Sequence, residues 1–138
     1  MIKNLKSQLI HLISLAIAVS ALLYSTWRTE QTELNTNIRT ASFEVLRELS
    51  QLQLIIDFAY YDNNAIKGNP ITGWGHIGLI TDLSQIISTD VQKQSSTLKD
   101  NWSDHFQTIN TSEESNKIIT TSIKSTRQSV LVSLDHLN

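Results

Sequence analysis

Apolar residues follow two different patterns along this chain. Residues 9–24, LIHLISLAIAVSALLY, are apolar on all sides apart from His11, Ser14 and Ser20. From residue 28 onward they recur at steps of three and four. Ile38, Val45, Leu52 and Ala59 fall seven residues apart, with Ser42, Leu49 and Ile56 as the companion row. The second pattern is the stripe of a helix packed on others. The first is that of a helix with apolar surroundings on every side.

Nothing breaks a helix before Gly68, since the four glycines and the single proline all lie in residues 68–78. The spacing therefore predicts one helix from the apolar run to Asp62. Residues 28–40 form a polar stalk, and residues 49–61 are apolar on most sides. Turn-forming residues then predict a loop over 62–75, with Trp74 exposed among Gly68, Gly73 and Gly75. Leu79, Ile80, Leu83, Ile86 and Ile87 predict a short helix over 76–88. Ser88, Thr89 and Asp90 mark a new start. Val91, Leu98, Trp102 and Ile109 carry the next helix. Thr111 and Glu114 form a capping box before a last helix over 113–137, with Ile119, Ile123, Val130, Leu134 and Leu137. The expected fold is all-α. An N-terminal transmembrane helix continues into the long helix of a small antiparallel four-helix bundle, because short connections make neighbouring helices antiparallel. Residues 1–27 are the cytoplasmic tip and anchor, and residues 28–138 the bundle domain.

Residues 9–27 rise about 28 Å as a helix, close to the roughly 30 Å of a hydrocarbon core. Tyr24 and Trp27 suit its interface with water. Ala16-Ile17-Ala18 is the pattern of a cleavage site, but the apolar run continues through Leu23, so an uncleaved anchor is expected. Lys3 and Lys6 precede the span, and Arg28 and Arg39 follow it. The positive-inside rule and the position of the anchor predict a cytoplasmic N-terminus and an exported, periplasmic domain.

The formal net charge is -2 and the basic residues are scattered, so no nucleic-acid surface is expected. There is no cysteine, and serine and threonine together number 31 against 24 charged residues. The polar faces are thus hydroxyl-rich, and the fold rests on packing without disulfides.

Candidate chemistry is sparse. No Glu-x-x-His or His-x-x-x-His pair occurs, so no metal or cofactor site is expected. Glu44 and Glu48 lie one turn apart beside Arg47, as on a solvated face. Asp100, Asp104 and His105 are ligand types for a cation, but Asp100 and Asp104 are expected to face water with Lys99. No catalytic motif stands out, and no enzyme activity is expected. Trp74 is expected to cap the open end of the bundle, with the glycines permitting a tight path; the alternative is a contact site, whose possible protein contacts are Trp74, Tyr60, Tyr61 and His76, since aromatic side chains anchor interfaces.

Two stretches, from Trp27-Arg28-Thr29-Glu30 to Phe43-Glu44-Val45-Leu46 and from Asn69-Pro70-Ile71-Thr72-Gly73-Trp74 to Asp82-Leu83-Ser84, resemble a family of uncharacterised single-pass inner-membrane proteins of proteobacteria. The resemblance covers about half the chain and implies an inner-membrane location. In outline the domain is also similar to the periplasmic four-helix sensor domains of chemoreceptors, which have a second membrane helix and a cytoplasmic signalling region. The expected function is a membrane-anchored interaction or accessory module of the cell envelope. Its partners are the bilayer, through residues 9–27, and a protein or a second copy of itself. The alternative is a sensor-like ligand-binding domain that acts through a partner protein, with its pocket beside Trp102 and Tyr60.

Overall fold

The structure, a computed structural model, describes the backbone of residues 2–137 and the side chains of residues 8–137. The topogenic charges Lys3 and Lys6 lie outside the described side chains. Helix α1 spans Ile2–Tyr60, α2 Pro70–Ile87, α3 Thr89–His105 and α4 Glu113–Asp135, with a 3-10 turn over Phe106–Thr108. No strand occurs among the described residues. The chain divides into two compact units, Met1–Thr36 and Asn37–Asn138.

In the first unit α1 is uncovered. Every described side chain from residue 8 to residue 34 is exposed, including Leu12 and Leu22. The hydroxyls turn inward along the helix. Ser14 donates to the Ile10 carbonyl at 2.9 Å and Ser20 to that of Ala16 at 2.8 Å. Thr26, Thr29, Thr32 and Thr36 repeat the bond one turn apart. Each hydroxyl satisfied in this way adds little polarity to the helix surface. Tyr24 and Trp27 stack at a tilt, with ring centroids 6.2 Å apart. This helix is long and apolar enough to cross a membrane, with mean hydropathy 1.9 over its most apolar 18 residues.

The second unit contains the core. Val45, Leu49, Leu52 and Ile56 of α1 are fully buried, as is Ser42. Ala41, Ile55 and Ala59 lie just outside them, so the heptad rows read from the sequence are the rows that pack. From α2 come Gly73, Ile77, Ile80, Ser84 and Ile87; from α3 Val91, Ser95, Leu98 and Trp102; from α4 Ile119, Ile123, Thr126 and Val130. Large residues on one helix meet small ones on the next. A Cβ on Gly73 would lie 2.1 Å from the Trp102 ring, and buried Ser95 donates to Ser84 at 2.9 Å.

Polar pairs fix which segments lie side by side. Glu48 of α1 meets His76 of α2, while Ala41 and Glu44 share a groove with Leu83 and Ile86. Asn101 of α3 donates to Ser122 of α4, and Thr126 of α4 donates to the Gln94 carbonyl. Gln53 of α1 donates to the Thr120 hydroxyl of α4, Ser50 accepts from Arg127 of α4, and Arg39 donates to the Leu137 carbonyl.

Several boundaries differ from expectation: α1 ends at Tyr60 rather than Asp62, and α3 ends at His105, short of Ile109. Residues 70–75 are not a loop: α2 begins at Pro70, with the Asn69 side chain capping the Ile71 amide at 3.0 Å. Proline at the first helical position loses no bond the helix needs. Of the glycines that suggested an exposed turn, Gly73 and Gly75 are helical and Gly68 lies in the connection before α2. Gly73 is there because Trp102 occupies the space of a side chain. The α4 cap is Ser112, which accepts from the Ser115 amide at 3.2 Å, rather than Thr111. The last helix ends at Asp135 rather than Leu137.

Candidate functional site

The four residues singled out as contacts fall into two places. Tyr60 ends α1 and Tyr61 follows it, its amide still bonded to the Asp57 carbonyl at 2.9 Å; the two rings meet edge to face, with centroids 4.9 Å apart and planes at 89°. Tyr60 is half-buried, whereas Tyr61 is 75% exposed. Trp74 is half-buried against the core and meets the Phe106 ring edge to face at 5.6 Å. His76 is on α2, where its Nδ1 lies 2.6 Å from the Glu48 carboxylate. The four possible contacts thus resolve into an aromatic pair at the end of α1, a packed pair of Trp74 with Phe106, and an imidazole–carboxylate hydrogen bond.

Glu48 corrects the reading of a solvated acidic face. Its residue is only 8% exposed. It lies three residues after Val45 and four before Leu52, inside the apolar stripe, and a carboxylate taken from water there needs partners. His76 supplies one. Arg47 supplies another at 3.6 Å and also pairs with Glu44. That spacing was the available signal for the burial of Glu48. His105 places Nδ1 at 3.2 Å from the Ser115 hydroxyl rather than joining Asp100 and Asp104 at a cation. Among the described residues no three His, Asp or Glu side chains are grouped to hold a metal ion.

Trp102 does not line a pocket with Tyr60. It is fully buried, its ring lies on Gly73, and its indole N–H has no partner. Open space lies elsewhere in the second unit. A cavity of about 200 Å³ sits between the connection after α1 and the turn after α3. A groove of about 570 Å³ runs along α3 and α4, lined by Asp90, Lys93, Gln94, Ser125, Ser129 and His136. A third, of about 370 Å³, lies between Ala41 and Glu44 of α1 and Leu83 and Ile86 of α2.

The outer faces carry apolar residues that the sequence pattern did not separate from the core. Phe43, Leu54 and Tyr61 are 63%, 46% and 75% exposed. They are spaced eleven and seven residues apart, close to three and two helical turns, and so lie along one line. On α2, Ile71, Leu79 and Ile86 are exposed, and open space surrounds Gly75 and Gly78.

No family model, curated protein or solved structure matches the chain.

Proposed function

We propose that the chain is a membrane-anchored helical interaction module of the bacterial cell envelope. In this reading residues 9–27 cross the inner membrane, the N-terminus is cytoplasmic, and residues 28–138 form an antiparallel four-helix bundle in the periplasm. The uncovered apolar surface of residues 9–27 supports the anchor, because water disfavours so large an apolar face. Lys3 and Lys6 before the span support its direction. The antiparallel arrangement draws on the order of the polar pairs. As numbers rise along one helix they fall along its neighbour, as in Glu48 with His76 and Ala41 with Leu83.

The observation that carries the interaction reading is the outward line of Phe43, Leu54 and Tyr61 on α1. Its apolar side chains leave water only if another protein, or a second copy, covers them. Tyr61 is the aromatic anchor of this line, while Trp74 serves packing. Truncating an anchor of this kind costs about 2 kcal/mol or more, roughly thirtyfold in affinity.

A photo-crosslinking residue at Phe43 or Leu54 in the membrane-embedded protein tests this. One discrete adduct is expected at both positions and none at exposed Lys124 on α4. The adduct mass distinguishes a second copy from another protein. Equal adducts at all three positions, or none at any, would remove the reading.

A further inference from the structure

The cavity of about 200 Å³ has walls of an unusual kind. Four side-chain amides line it, from Asn63 and Asn64 on one connection and Gln107 and Asn110 on the other. Ala59, Pro70 and Ile109 supply an apolar floor, and no lining residue is ionisable.

The rim is held in place. The Asn64 amide donates to the Phe58 carbonyl at 2.9 Å, and the Gly68 amide donates to that of Asn64 at 2.8 Å. The Asn64 side-chain oxygen accepts from the Ile66 and Lys67 amides at 3.2 and 3.0 Å. Gly68 lies so close to α1 that a Cβ there would fall 2.4 Å from the Ala59 nitrogen. Asn63 has a positive φ of 49°, a conformation asparagine tolerates. The backbone on this side of the cavity is therefore fixed before a ligand enters.

Asn63, Gln107 and Asn110 are exposed residues, and their side-chain amides make no hydrogen bond to protein among the described residues, so they are open to water and to a ligand. Each offers an oxygen that accepts and an NH₂ that donates twice. Hydroxyl and amide groups match that pattern. A carboxylate or an ammonium would find no opposite charge among the lining residues. The volume corresponds to about seven waters at about 30 Å³ each.

We infer that this cavity is a binding site for a small uncharged ligand bearing several hydroxyl or amide groups, up to the size of one sugar ring. Its apolar floor takes the C–H face of such a ligand while the amides take the polar edge. The inference is independent of the docking line on α1.

The test is an NMR titration of the full chain in phosphatidylcholine nanodiscs, which bring no free sugar. Probes are N-acetylglucosamine, glucose and acetate. The expected result is a saturable millimolar shift of the Asn63, Gln107 and Asn110 side-chain amides with at least one sugar, and none with acetate. A response to N-acetylglucosamine alone would assign the acetamide as the recognised group, and a response to both sugars would assign the hydroxyls. Asn63→Gly with Asn110→Ala keeps the backbone conformation and should weaken binding about tenfold or more. Ala65→Leu leaves the amides in place and should block entry, which covers the case in which the double variant fails to fold. Absence of a saturable shift with either sugar, equal binding of acetate, or affinity unchanged by Ala65→Leu would overturn the assignment.

Discussion

The two parts of α1 differ in apolar content, pattern and fate: residues 9–27 carry no charged side chain, whereas residues 37–60 include Arg39, Glu44, Arg47, Glu48 and Asp57. Over residues 9–27 leucine and isoleucine face outward on all sides, and none of them is buried. Over residues 37–60 the same residue types are buried along one stripe, where Val45, Leu49, Leu52 and Ile56 have no exposure. Hydropathy separates the two, and periodicity agrees with it, because a helix packed on one side needs only one apolar face, whereas the first part is apolar all round.

The largest expected effect breaks this comparison at its buried end. Leu52→Ala should cost about 2–5 kcal/mol by removing a side chain and leaving a cavity. The melting temperature of the second unit, followed by circular dichroism in detergent, should fall by several degrees. Leu12→Ala in the exposed part should leave that transition unmoved. Equal shifts would show that the two parts of α1 belong to one cooperative unit.

Next in size is Gly73→Ala. The Trp102 ring would have to move from 2.1 Å, and overpacking of this kind costs about 1–3 kcal/mol. Combining it with Trp102→Leu should recover part of the loss in a double-mutant cycle, because the two residues share one space. Additive losses would separate them.

Gly78→Ala should act in the other direction. Open space surrounds its Cβ position, and replacing a helical glycine by alanine stabilises by about 0.5–1 kcal/mol. A loss of stability on denaturant unfolding would mean that another surface already rests on this face. The smallest effect is expected for Phe43→Glu, within about 0.5 kcal/mol of the parent, since the side chain is outside the core. Its consequence should appear in crosslinking rather than in melting.

The heptad rows made much of the core legible in advance. Leu49, Leu52 and Ile56 follow from spacing within one helix, and spacing is a local signal. Ser88 as a cap is equally local. What the sequence did not disclose depends on residues far apart in the chain. Gly73 looks like a turn residue until Trp102, 29 residues later, is found against it. Glu48 looks solvated until His76 is found beside it. The amide-lined cavity joins Asn63 to Asn110, and no local pattern connects them. Phe43 and Leu54 could not be told from core residues by type, because exposure depends on which faces the other helices cover.

The central claim is that residues 9–27 lie in a bilayer while the second unit folds outside it. The chain has no cysteine, so single cysteines at Leu15, Thr32 and Lys124 report their own surroundings. In intact spheroplasts, a membrane-impermeant maleimide should label Thr32→Cys and Lys124→Cys, both at exposed positions, and leave Leu15→Cys unlabelled until the membrane is dissolved and the protein unfolded. Labelling of Leu15→Cys at the rate of Thr32→Cys in the intact membrane would contradict the account.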